Sequence, residues 1–217
     1  TIIILFNLLV TFSLFAGNGP TGFTENKGQI HDQERKSNPA VLYLLTGTGF
    51  NVQLKKDGFA YDAHVVVEDS LTELERERSR SQHGEWSMVN GADVQVTYKV
   101  HRTDIRFVNG DPNAEIAAEL ESEDHTNYYT DVTGEAGANF VRSYSTITYR
   151  NVWPHIDVRF NSSADGFKYD VIVRPDGNLS DVRFRVDGSE IRESLKGRMV
   201  IFWADGELEE SIPESWV

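Results

Sequence analysis

The chain has 217 residues, 39% hydrophobic, 11% aromatic and 25% charged. This is the make-up of a domain that buries its own core, and it excludes a solvated tail. A net charge of −13 with a pI near 4.8 argues against a nucleic-acid partner, because such a surface repels phosphate backbones instead of displacing their counterions.

The absence of cysteine removes disulfide frameworks, thiolate metal sites, cysteine nucleophiles and acylated lipoprotein cysteines. The opening TIIILFNLLVTFSLFAGNGP carries no charge, and its apolar run from Ile2 to Ala16 is shorter than the ~20 residues that span a bilayer. It reads as a signal-peptide core over residues 1–17, cleaved near Ala16 or Gly17, with a membrane anchor as the competing reading. The missing Met and missing basic segment point to a record clipped at its start. Residues 18–217 are then expected to be a β-rich domain of an exported protein, with no membrane span after cleavage.

Residues 18–40 are polar and broken by Gly and Pro, which predicts an extended arm; whether Phe23–Ile30 packs on the domain is open at this level. Val41–Leu45 (VLYLL) is the first predicted strand. GFNVQLKKDGFAYDAHVVV gives two β runs joined at Lys55-Lys56-Asp57-Gly58, the Asp-Gly pair supplying a positive φ for a tight hairpin. The segment around Glu68–Ser87 changes character. Ser70 and Glu73 match a capping box among charges of both signs, predicting a short charged helical or disordered insertion.

The β pattern resumes in DVQVTYKVHRTDIRFVNG, where Val94, Val96, Tyr98 and Val100 are assigned to the core and Gln95, Thr97, Lys99 and His101 to water. DPNAEIAAELESEDHTNYY is left between a helical turn and a loop. In PHIDVRFNSSADGFKYDVIVRPDG, residues Ile156, Val158, Phe160, Phe167, Tyr169, Val171 and Val173 share one face, and Asp157, Arg159, Lys168 and Asp170 the other. The two aspartates are therefore expected on a charged, water-facing surface, cross-paired with Arg159 or Lys168. Val182, Phe184 and Val186 alternate again, and MVIFWADGELEESIP is a last strand and turn. No stretch between these runs is long enough for a helical crossover. The expected fold is all-β, mainly antiparallel, and sandwich-like.

Chemistry finds little footing. The six histidines are scattered, without a metal-ligand spacing; His101 and His155 lie in β segments and folding could bring them together. Asn109–Glu115 alternates oxygen ligands faintly like a calcium loop but lacks the EF-hand glycine and fits a plain turn. Gly-x-Ser-x-Gly, Ser-x-x-Lys and a phosphate-cradling glycine loop are absent. Carboxylates are abundant, but a glycosidase needs two of them about 5–10 Å apart across a cleft. Trp86, Trp153 and Trp203 are candidates for stacking on sugar rings, against a core role. Asn161-Ser162-Ser163 and Asn178-Leu179-Ser180 match glycosylation triplets. No catalytic, cofactor-binding or metal residue is assigned, and no cofactor.

Several pieces taken in order, FTENKGQI from Phe23, NVQLKKDGFAYD, HRTDIRFVNG, NYYTDV, SYSTITYRNVWPHIDVRF, FKYDVIVRPDG and ELEESIPESW, resemble a domain of unknown function. That domain lies near the N-terminus of large exported Bacteroidota proteins with SBBP β-propeller-type repeats, many ending in a type IX secretion sorting domain. The resemblance spans most of Phe23–Trp216 and implies a cell-surface or secreted home; it carries over no catalytic residue, and the insertion at 68–87 departs from it.

The expectation is a non-catalytic structural, adhesion or recognition module of a large exported surface protein, truncated at its C-terminal end. Its partners are other domains of that protein, glycans or surface proteins. A carbohydrate-binding accessory module is the alternative, and a glycan hydrolase a distant third.

Overall fold

In a computed structural model the residues described are 2–6, 22–32, 34–47, 49–69, 96–163, 166–193, 199–203, 206–210 and 214–216. The strands run in chain order as β1 (Ile2–Phe6), β2 (Phe23–Glu25), β3 (Tyr43–Gly47), β4 (Phe50–Lys55), β5 (Gly58–Asp69) and β6 (Val96–Phe107). Next come β7 (Glu115–Glu121), β8 (Thr126–Tyr128), β9 (Ala138–Val141), β10 (Ser143–Trp153), β11 (Ile156–Ser163) and β12 (Gly166–Val173). The last are β13 (Phe184–Asp187), β14 (Glu190–Glu193), β15 (Met199–Trp203), β16 (Gly206–Glu210) and β17 (Glu214–Trp216). Among the described residues the sole helical element is a 3-10 turn at Leu179–Asp181.

The main sheet has the order β13-β6-β5-β4-β3-β2-β10-β11-β12-β1-β17, with β7 added on β10. Two small sheets, β14-β15-β16 and β8-β9, complete the set. Every pairing is antiparallel, from the β4–β5 hairpin, with Asn51 opposite Asp62, to β11–β12, with Arg159 opposite Asp170. The all-β expectation therefore holds, as a curled sheet that closes on its own apolar face.

Period-two burial drives the curl. Phe50, Val52 and Leu54 on β4, Phe59 and Tyr61 on β5, Val158 and Phe160 on β11 and Tyr169 and Val171 on β12 all enter one core. The Phe59 ring lies 5.2 Å from both Phe160 and Tyr169, although many strands separate them along the sheet. Phe184 on β13 lies 6.0 Å from Tyr169, so the far edge is also drawn over the core. Offset and edge-on ring contacts of this kind add roughly 0.5–1.5 kcal/mol each beyond the area they bury.

Four expectations need correction. First, the strand predicted at Val41–Leu45 begins two residues later, and Val41 is a buried residue ahead of it. Second, the segment left between helical turn and loop contains β7, whose Ile116–Glu121 pair with Tyr144–Tyr149. Its Ala and Glu favour helix, but a waiting β10 edge and the packing of Ile116 and Ala118 on the core outweigh propensity.

Third, β6 departs from the reading above at Val100 and His101, while Lys99 is exposed as expected and the side chains at 94–98 lie outside those described. Thr103, Ile105 and Phe107 point inward, so Val100 shares the outer face with Arg102 and Asp104 and is 47% exposed, while His101 turns to the inner side. Two apolar sets of opposite parity compete in this strand, and the Ile105/Phe107 phase wins because three charged residues sit on the other. Fourth, Asp170 is 6% exposed rather than water-facing, since it lies mid-strand with β11 on one side and β1 on the other.

The arm packs. Phe23 is fully buried and Ile30 nearly so, and Asn26 donates through Nδ2 to the carbonyls of Asn38 (2.9 Å) and Val41 (2.7 Å). Residues Ile2–Phe6, assigned above to the leader, have their backbone between β12 and β17. The insertion lies outside the described residues except at Glu68 and Asp69, which end β5. No helix among the described residues is long and apolar enough to cross a membrane.

Candidate functional site

The outer face of β3–β6 is the floor of a cavity of about 790 Å³, and the arm from Gln29 to Asn38, with Thr24 and Tyr128, forms its walls. Strand alternation delivers the floor in rows: Leu44 and Thr46 from β3, Asn51 and Gln53 from β4, Asp62 and His64 from β5, Val100 and Arg102 from β6. Asn51 stands directly opposite Asp62, and Asp62 opposite Arg102. The β6 phase that corrects the sequence reading also puts Val100 in this floor, giving it an apolar spot beside the charges.

A charge-alternating chain crosses the face. Gln53 Nε2 donates to Asp62 Oδ2 (2.5 Å), Arg102 Nη1 lies 3.6 Å from Asp62 Oδ1, Arg102 Nε donates to Asp104 Oδ2 (3.0 Å) and Lys55 Nζ to Asp104 Oδ1 (2.5 Å). The two acids respond differently. Burial raises the Asp62 carboxyl above its ordinary value, with Arg102 opposing. Burial also pulls Asp104 upward, but hydrogen bonds from Arg102 and Lys55 outweigh it and hold the group below the ordinary value. The side-chain oxygens of Asn51 (Oδ1) and Gln53 (Oε1) are shut off from bulk water and accept no hydrogen bond.

The arm is tied down by the Glu25–Gln29 stretch, of which Gln29 lines the cavity. Asn26 Oδ1 accepts the N–H of Gly28 (2.8 Å), Gln29 Oε1 that of Lys27 (2.8 Å) and Glu25 Oε1 that of Arg142 (2.8 Å); Gln29 Nε2 donates to the Glu25 carbonyl (2.6 Å). Each polar side chain of Glu-Asn-Lys-Gly-Gln thus satisfies backbone, as in other Asx-type turns, and the motif is architectural.

The residues weighed in the sequence lie elsewhere. Asp157 Oδ1 accepts the N–H of Asn151 (2.8 Å) and pairs with Arg174 Nη2 (3.2 Å), pinning the irregular end of β10 where Asn151 has φ 54°. Asp170 accepts from Asn161 Nδ2 (3.0 Å), and burial raises its carboxyl, with Lys168 and Arg159 opposing. The two aspartates have different partners, and neither lines the cavity. His101 stacks on Trp203 (5.6 Å) with Nε2 at 3.0 Å from Ser189 Oγ, while His155 is exposed in the β10–β11 turn with φ 59°.

Trp153 is a core residue whose Nε1 donates to the Val108 carbonyl (2.9 Å); Trp203 is half-buried, and Trp86 lies outside the described residues. Asn109–Glu115 is a turn in which Asp111 Oδ1 accepts the Asn113 N–H (2.8 Å). Asn161 has its amide committed to Asp170, and Asn178 caps the 3-10 turn by accepting the Ser180 N–H (3.1 Å). The groove residues Asn51, Gln53, Asp62 and Arg102 went unnamed in the sequence. The usable signal was an Asn and a Gln, not Lys and Glu, on the outer face of a predicted hairpin facing Asp62.

Residues 23–217 match the sequence profile of a family described as a domain of unknown function, DUF7948. The chain belongs to this family. No curated protein and no solved structure matches it. The DUF7948 span opens at Phe23, the first residue of β2, and so takes in both the Gln29–Asn38 wall and the whole β3–β6 floor.

Proposed function

We propose that this DUF7948 chain is a non-catalytic recognition module of a large exported surface protein, acting through contacts on its outer face. The observation that carries the reading is the state of the cavity's carboxylates. Asp32 Oδ1 accepts the N–H groups of Glu34 and Lys36 (both 2.9 Å), Glu34 pairs with Lys36 (2.9 Å), and Asp62 is held by Gln53 and Arg102. Each is committed to its own scaffold, whereas acid–base hydrolysis needs two carboxyls aimed at one substrate bond.

The uncharged apolar run at Ile2–Ala16 and the absence of cysteine support export. The resemblance to the N-terminal domains of Bacteroidota proteins with SBBP repeats and type IX sorting domains supports a cell-surface home, with the neighbouring domains of the same protein as partners. The test is a turnover assay of the purified chain against polysaccharide and peptide libraries. The reading expects intact substrates; release of products that a single carboxylate substitution abolishes would overturn it.

A further inference from the structure

The β3–β6 groove has a ligand chemistry of its own. Two amide oxygens, Asn51 Oδ1 and Gln53 Oε1, sit beside the Asp62 carboxylate without a donor of their own. A buried acceptor left unsatisfied costs about 1–3 kcal/mol, so this side of the groove favours a ligand that brings several closely spaced donors. Both Asn51 and Gln53 line the cavity.

The donors should not be cationic. Arg102 pairs with Asp62 and Lys36 with Glu34, Asp32 already accepts two backbone N–H groups, and a second cation would meet the Arg102 guanidinium. An anion would meet the carboxylates of Asp32, Glu34 and Asp62. The matching ligand is neutral, with neighbouring groups that donate and accept at once: hydroxyls donating to Asn51, Gln53 and Asp62, and accepting from Arg102. Val100 and Tyr128 line the same cavity and offer an apolar and an aromatic surface to the C–H face of a ring. At about 790 Å³ the cavity falls in the size range of small-ligand sites, roughly 300–1,000 Å³.

From these features we infer that the groove is a saccharide-binding site, with Asn51, Gln53, Asp62 and Arg102 as its polar contacts and Tyr128 as its ring platform. The inference rests on the recognition-module reading and names its ligand class. It moves sugar binding away from Trp153, which belongs to the core.

The full chain is screened on an array of neutral oligosaccharides (β-1,3- and β-1,4-glucans, xylans, mannans, α-glucans and chitin oligomers), and the strongest hit is titrated by calorimetry. Asn51→Leu keeps the branched side-chain shape while removing the amide oxygen and nitrogen, and is expected to weaken binding at least about tenfold; Tyr128→Ala serves as a second variant if the first does not fold. Arg150→Ala, exposed on β10 and outside the cavity, is expected to bind as wild type. No binding across the array, or undiminished binding by both folded groove variants, overturns the inference. So does a calcium chloride titration showing that the Asn51→Leu change abolishes a cation site instead. Binding followed by cleavage of the bound sugar leaves the saccharide site standing and sinks the non-catalytic reading, so the two fail separately.

Discussion

Asp62 shows most clearly how the outer face is tuned. It is 9% exposed, and the cost of burying its charge outweighs the help of Arg102, so its carboxyl is raised above the ordinary value. A carboxyl that binds its proton more tightly when folded makes stability fall as pH rises from the unfolded carboxylate range, near 4, through the folded value; the full cost is present above the folded value. Asp62→Asn keeps an acceptor for Gln53 and leaves Arg102 its bond to Asp104. The variant is therefore expected to melt higher than wild type at pH 7, by up to about 4 °C, or about 1 kcal/mol for a chain of this size, with the gap closing towards pH 4. Thermal melts across that range check it. A variant that melts lower at pH 7 would mean that the Arg102 pairing dominates.

Strand alternation made most elements readable. The β11 and β12 faces, the β4–β5 hairpin and the antiparallel order all follow from side chains that switch sides at every residue, and the structure reproduces them except on β12, where Asp170 and Ile172 are buried as well. What alternation could not resolve was phase in β6, where Val100 and Ile105 vote for opposite faces. It also could not resolve β7, whose helix-favouring composition is overruled by a β10 edge distant in sequence. The groove was illegible for a related reason: its floor comes from four strands and its wall from the arm, and only register brings them together.

The β4–β5 hairpin also refines the role of Gly58. The turn residues Lys56 and Asp57 keep ordinary backbone angles, while Gly58 at φ 153° begins β5 against β6, where a Cβ would stand 2.0 Å from the Ile105 carbonyl oxygen. Gly58 is thus required by close backbone approach more than by the turn. Gly58→Ala should cost more than about 3 kcal/mol, a fall in melting temperature of at least about 6 °C, whereas a near-neutral result would contradict the β5–β6 spacing.

Taken whole, the molecule divides its labour between two faces of one curled sheet. The inner face is an aromatic core in which Phe59, Phe160 and Tyr169 join distant strands. The outer face of β3–β6 is where uncharged polar groups, a half-exposed valine and a tyrosine meet beneath the Gln29–Asn38 arm. Recognition on the outside, without chemistry, is the claim that joins sequence, fold and groove. It is tested most directly by a crystal structure of the chain with the oligosaccharide selected on the array. The account predicts an uncleaved sugar over Asn51, Asp62 and Arg102 with a ring against Tyr128; a sugar bound elsewhere, or found hydrolysed, would contradict it.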